Sequence, residues 1–110
     1  MSLFAEYVKE RFGHEIIEDD DSFVTYSLNP PIAQIEEFYI KKESRGTLKA
    51  KRLTDKVFQI AKENGCTHVW SRVQPGANGA EHSLRSQLTY GFKLMYNNGI
   101  DTITCKKIED

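Results

Sequence analysis

The residues best placed to do chemistry are the cations gathered at one turn. Lys41, Lys42 and Arg45 lead into Gly46-Thr47-Leu48-Lys49-Ala50, and Lys51 and Arg52 follow directly. From Lys41 to Lys56 there are seven basic residues and two acidic ones. If a helix starts here, its first amides are unpaired donors and its dipole favours negative charge. Lys49, Lys51 and Arg52 then stand where the dipole prefers acids, each at a cost of about 0.3–1 kcal/mol at a surface position. A bound polyanion would reverse that cost, so a phosphate is one reading of this turn. The bland reading is a solvated basic face whose small cost is tolerated.

The other reactive side chains form no comparable group. Cys66 and Cys105 have no metal-ligand spacing and make no disulfide framework, so both read as buried thiols. His68 and His82, with Glu81, give no convincing metal set, and lone histidines are more often satisfied polar residues. Trp70 reads as a core or interface aromatic. Glu36 and Glu37 are adjacent, and strand alternation would send them to opposite faces: Glu37 with Ile35 and Tyr39, Glu36 with Phe38 and Ile40.

The elements around the basic turn follow from pattern. Ile35, Phe38, Tyr39 and Ile40 make the segment before it a strand within Ile32–Lys41. Leu48, Leu53, Val57, Phe58, Ile60 and Ala61 recur at mainly three- and four-residue steps, predicting a long helix that stops at Asn64-Gly65. Upstream, Ser2 to Arg11 reads as a short helix capped by Ser2 and stopped near Gly13. His14–Glu18 and Ser22–Leu28 read as a hairpin across Asp19-Asp20-Asp21, and with the third strand they make an antiparallel meander. Downstream, Thr67–Val73 is a fourth strand. A right-handed crossover sets it parallel to the third. A loop over 75–79, a second helix over Ala80–Tyr90, and a hairpin of Phe92–Tyr96 and Ile100–Lys107 across Asn97-Asn98-Gly99 complete the chain.

Size and charge bound the rest. The 110 residues suit one domain, 1–110, with a modest core. The net charge of −1 implies no global attraction to nucleic acid or membrane, although EIIEDDD over 15–21 is locally acidic. No apolar run reaches the ~20 residues of a membrane span, and no signal-peptide segment is visible at the start. A reducing, cytoplasmic setting is the expectation.

Taken in order, these elements resemble the GNAT superfamily of acyl-coenzyme A-dependent N-acyltransferases. Phe38-Tyr39-Ile40 matches the end of its signature strand, and Arg45-Gly46-Thr47-Leu48-Lys49-Ala50 occupies its Arg/Gln-x-x-Gly-x-Gly/Ala signature. Gly65-Cys66 closes the signature helix, and Gly91-Phe92 occupies the later Gly-Phe motif. The resemblance implies an α/β (α+β) fold. Its mixed central sheet would have about six strands, an antiparallel N-terminal meander, and helices packed on its faces. It also implies acetyl-coenzyme A as cofactor. Arg45, Gly46, Thr47, Leu48, Lys49 and Ala50 would line the pyrophosphate site, and Ile40 would meet the pantetheine arm.

An amine-bearing acceptor, small molecule or protein, would attack the thioester directly. Backbone donors would polarise its carbonyl. Some members use a carboxylate on the signature strand as general base, and Glu37 is the first candidate for that role, with Glu36 next. The chain also departs from the pattern. Leu48 replaces a glycine that lets backbone approach the phosphates, Gln87 stands where many members have a tyrosine that protonates the thiolate, and Ala80 stands where asparagine is common. The first strand and the helical pair that shape the acceptor site are reduced to one short helix. These departures support an alternative: a non-catalytic interaction module that binds a protein partner, of the pared-down kind expected from a phage. Contact of the basic strip with nucleic-acid phosphate is a third reading, which steep salt dependence would mark.

Overall fold

The computed structural model describes residues 2–74 and 80–109, and for 80–83 the backbone only. The expected loop over 75–79 and the side chains of Ala80, Glu81 and His82 therefore lie outside the described residues.

Helix α1 (Leu3–Phe12) is capped as its sequence predicts. The Ala5 N–H donates to Ser2 Oγ at 3.0 Å, and Gly13 ends the helix at φ 70°. Its Ala5 and Val8 are buried, and the Phe4 ring meets Phe23 edge-on at 4.9 Å. Strands β1 (Glu15–Glu18), β2 (Ser22–Asn29) and β3 (Ile32–Ile40) form the antiparallel meander. At its first turn Asp19 accepts bonds from the Ser22 hydroxyl at 2.8 Å and the Asp21 N–H at 3.1 Å.

A short 3-10 turn (Lys42–Ser44) separates β3 from helix α2 (Lys49–Glu63). Leu53, Val57 and Ala61 of α2 pack onto Val24, Tyr26, Ala33 and Ile35 of the sheet. Burial of a side chain such as Leu53 or Val57 is worth about 1.5–3 kcal/mol. The helix ends where Asn64-Gly65 predicts: the Cys66 N–H bonds the Ala61 carbonyl at 2.9 Å, the Gly65 N–H bonds that of Lys62, and Gly65 has φ 81°.

Strand β4 (His68–Val73) is parallel to β3. Val69, Ser71 and Val73 are buried and alternate with half-buried His68, Trp70 and Arg72. Helix α3 (Ala80–Tyr90) follows, then β5 (Lys93–Asn97) and β6 (Thr102–Lys107). The six strands are ordered β1-β2-β3-β4-β6-β5, so the last strand inserts beside β4 and leaves β5 at the edge. This is the mixed α+β sheet with an antiparallel meander that the sequence implies. No helix among the described residues is long and apolar enough to cross a membrane, and none of their His, Cys, Asp and Glu side chains form a metal-binding group.

Two local expectations are corrected. The spacing of Leu48 predicts a place on the apolar face of α2, yet it lies just before the helix and is 63% exposed. The glutamates do not alternate as a regular strand would place them. Thr25 pairs with Glu37 but Tyr26 pairs with Ile35, so Glu36 is an extra, bulged residue. Beyond the bulge the faces exchange. Glu37 sits with Thr25, away from Ile35 and the α2 core, and Phe38 pairs with Val24 of that core. The Glu37 N–H donates to Thr25 Oγ1 at 3.0 Å.

Candidate functional site

The site grows from the place where β3 and β4 part. Their pairing runs from Ile32↔His68 to Ile35↔Ser71 and stops, while β3 continues to Ile40 and β4 to Val73. The bulge at Glu36 falls at that point, and a bulge increases local twist. The outer edge of β3 beyond Glu36 is therefore left without a neighbouring strand.

The start of α2 stands at the end of this gap. Thr47 Oγ1 accepts from the Lys49 N–H at 3.2 Å, and the Arg52 N–H reaches the Leu48 carbonyl at 3.0 Å. No acceptor among the described residues takes the Ala50 or Lys51 N–H. These are free helix-start donors, suited to an anion. Gly46 has φ 80° and open space around its α-carbon. The backbone conformation requires glycine there. Position 48 has φ −78°, which any residue adopts, so the Leu48 side chain alone distinguishes it from a glycine.

The turn cations divide into two groups. Lys49 bonds Asp21 and lies 3.2 Å from Asp19, so the first turn of α2 is fastened to the acidic β1–β2 turn. The same Asp21 accepts the Ser44 hydroxyl at 2.6 Å, and its carbonyl accepts the Lys41 N–H at 2.7 Å. The bond to Asp21, with that to Asp19, raises the Lys49 pKa, while the Ser22 hydroxyl and Asp21 hold the Asp19 carboxyl well below its usual range. The acidic hairpin thus supplies the counter-charge that the helix start lacks. Lys51 pairs with Asp55 at 2.9 Å.

Lys41, Lys42 and Arg52 have no ionic partner among the described residues. Arg45 donates Nε–H to the Ile40 carbonyl at 2.9 Å and lies over the Tyr39 ring at 5.7 Å. Tyr39 in turn stacks on Phe23. The end of β3 and the basic turn are therefore one braced unit.

Across the gap, on the face away from α2, Glu36 Oε2 lies 3.5 Å from an Arg72 terminal nitrogen. Glu36 Oε1 lies 3.4 Å from Ser27 Oγ and 4.0 Å from His14 Nε2. The Glu36 side chain is 10% exposed. Glu37 is exposed on the same face, and no side chain among the described residues bonds its carboxylate. Sequence reading did not connect Arg72 or His14 to this place. The alternation of β4 signals that Arg72 faces away from α2, but a bulge that aims Glu36 at it has no local sequence mark.

On the α2 face, Gln87 joins two strands. Its Nε2 donates to Ser71 Oγ at 2.8 Å, and its Oε1 accepts from Thr104 Oγ1 at 2.8 Å. Tyr90 donates its hydroxyl to Asp55 at 2.5 Å between the Phe58 and Phe92 rings. Burial, then that bond, pushes its pKa well above the ordinary range. Burial likewise pushes up both thiols; Cys66 is buried and Cys105 half-buried.

The chain matches the model of the acetyltransferase (GNAT) family over residues 5–88. No curated protein sequence matches it. Among solved structures it is similar to the PaiA N-acetyltransferase of Thermoplasma acidophilum in complex with coenzyme A. The identity is 21%, the TM-score is 0.75, and the match covers 96% of this chain and 69% of that one. A GNAT-family acetyltransferase of Staphylococcus aureus is similar at 14% identity and a TM-score of 0.72, over 94% and 76%. A Bacillus subtilis acetyltransferase in complex with CoA is similar at 15% identity and a TM-score of 0.70, over 94% and 84%. Matched over most of its length by that family's model, this chain belongs to the GNAT acetyltransferase family.

Proposed function

We propose that the chain binds acetyl-coenzyme A at the open end of β3 and α2 and transfers the acetyl group to an amine. The observation that carries this is the coincidence of two unmet needs in one place. β3 loses its neighbour after Ile35↔Ser71, and the Ala50 and Lys51 amides find no acceptor among the described residues at the adjoining helix start. Solved relatives of this fold hold coenzyme A.

In this reading the Ala50 and Lys51 amides, with Lys42, Arg45 and Arg52, hold the phosphates, and Gly46 and Thr47 shape the turn. Lys49 acts from behind by fixing the turn to Asp21. The free edge of β3 out to Ile40 aligns the extended arm. Acetyl-coenzyme A supplies the activated thioester. The protein's part is to orient the amine and remove its proton. Glu37 is the proposed proton acceptor, because its carboxylate is exposed and unengaged beside the gap. Glu37→Gln lowers turnover more than coenzyme affinity and removes the ascending limb of the pH-rate profile. An unchanged profile dismisses Glu37 from the chemistry.

Saturating acetyl-coenzyme A should stabilise the fold by about 2.7 kcal/mol when present at ~100 times its dissociation constant. A flat melting temperature at millimolar ligand, with no calorimetric heat, would overturn the proposal. One observation favours a second reading, a non-catalytic module that binds a protein partner. Gln87 is a carboxamide with no acidic proton and is bonded to Ser71 and Thr104, and Tyr90 donates its hydroxyl to Asp55, so neither protonates the leaving thiolate. Coenzyme binding without release of free thiol across a panel of amines would exclude transfer to those amines and favour that reading.

A further inference from the structure

Glu36 and Arg72 are the first residues of their strands beyond the last β3–β4 pair, Ile35↔Ser71. Their side chains meet where backbone bonding has ended. The contact is a single one at 3.5 Å, and Arg72 makes no other ionic contact among the described residues although its guanidinium has five donors. Arg72 remains 32% exposed. The pair therefore offers an under-used, part-exposed guanidinium beside a carboxylate whose side chain is 10% exposed, at the mouth of the gap.

The strand faces extend this arrangement. One rung back from the last pair Gln34 pairs with Trp70, and two rungs further, on the same face, Ile32 pairs with His68. With Ser27, which touches Glu36, the residues Ile32, Gln34 and Trp70 line a depression on the same face. A charged pair thus adjoins a mixed polar and aromatic hollow.

Resting on the acyl-transfer reading, we infer that the acceptor carries a carboxylate close to its amine, as a free amino acid does. Arg72 takes the carboxylate, Glu36 holds the ammonium, and the rest of the molecule lies along Gln34 and Trp70. A plain amine gains Glu36 but meets the Arg72 charge. A zwitterion pairs both of its charges, and guanidinium binds carboxylate through two parallel N–H bonds. The bulge places Glu37 on the same face as Glu36, so one carboxylate orients the ammonium while its neighbour receives a proton. The atoms balance. The amine nitrogen bonds the acetyl carbon as the carbon–sulfur bond breaks. Of the two protons the ammonium loses, one passes through Glu37 to solvent and one ends on the coenzyme thiol.

The test compares L-phenylalanine with phenylalanine amide and phenethylamine, and L-lysine with lysine amide and cadaverine. For wild type, the free acid should exceed its amide and its decarboxylated amine by about 10–100-fold in kcat/KM. Arg72→Gln should abolish that preference while calorimetry shows coenzyme A still bound. Arg72→Lys, which keeps the charge but loses the paired bonds, should retain part of it. The double variant Glu36→Gln with Arg72→Gln leaves no lone charge, so it tests the same point if Arg72→Gln misfolds. Equal use of acid and amide by wild type that binds coenzyme A, or a preference that survives Arg72→Gln, overturns the inference and leaves the acyl-transfer reading intact. If coenzyme A itself fails to bind, that reading falls. The inference about an acceptor falls with it, and the same acid and amide pairs titrated by NMR then decide only whether the pair recognises an amino acid. Saturable shifts at Glu36 and Arg72 for the acid alone uphold that recognition, and their absence overturns it.

Discussion

The two ends of the β3–α2–β4 unit are built oppositely. At one end nearly every backbone group is spoken for. The Thr67 N–H bonds the Pro31 carbonyl at 2.8 Å, the Ile108 N–H bonds that of Thr67 at 2.8 Å, and α2 closes on Ala61 and Lys62. At the other end β3 runs on without β4, and α2 starts with free amides and no side-chain cap from its preceding residue. One set of elements thus makes a rigid base and an unsatisfied rim. The proposed function puts ligand chemistry at the rim, where unmet donors and acceptors are available to a second molecule.

The strongest way to break this contrast is to loosen the base. Leu53 is 3% exposed beneath the rim, and Leu53→Ala should cost about 2–5 kcal/mol in denaturant unfolding, with coenzyme affinity falling only as folded protein is lost. A small stability loss would mean that the rim is not supported by the core.

Gln87 marks the border between the two regimes, since Ser71 belongs to the last β3–β4 rung. Gln87→Ala leaves the hydroxyls of Ser71 and Thr104, 2% and 0% exposed, without their shared partner. The expected loss is about 1–3 kcal/mol. Hydrogen exchange should rise first at the end of β4. Stability within error of wild type would show that the border needs no such tie.

Leu48 sharpens the comparison from the other side. It lies five residues before Leu53 but is exposed on the rim, so Leu48→Gly should cost at most ~1 kcal/mol. Coenzyme A should bind more tightly, because glycine lets the backbone approach the phosphates. A large stability loss with unchanged or weaker binding would place Leu48 with the base instead.

The smallest effect is expected from pH, through a bond that ties α3 to the exposed side of α2. The Tyr90 hydroxyl, then Lys51, lowers the Asp55 pKa below its ordinary 3.8. The folded state therefore favours ionised Asp55, whose contribution is present above about pH 4 and fades as pH falls through the lower folded value. Tyr90 is raised above 10.0, so its contribution is present below pH 10 and is lost as pH rises further. Asp55 is half-exposed, and screening keeps its share below about 1 kcal/mol. Asp55→Asn should flatten the acid limb of stability against pH. An unchanged limb would mean that the bond contributes nothing in solution.

The sequence by itself determined the elements and their order. Ser2, Gly13 and Gly65 mark helix ends through local backbone chemistry, and alternation in Val69–Val73 marks a strand buried on one face. The parallel crossover followed from chain handedness. The turn at Gly46 and the helix after it were legible because a glycine ahead of an apolar-periodic run is a local pattern. What only the tertiary structure decided depends on residues far apart in the chain. Asp21 reaches Lys49 across 28 residues, and Arg72 reaches Glu36 across the gap. The bulge at Glu36 arises from pairing with β2 and exchanges the strand's faces, which no count along β3 alone reveals. Leu48 shows the same limit: its spacing fits the apolar stripe, but the helix begins one residue later and turns it outward. Periodicity fixes local geometry; register and counter-charge are set only when distant strands meet.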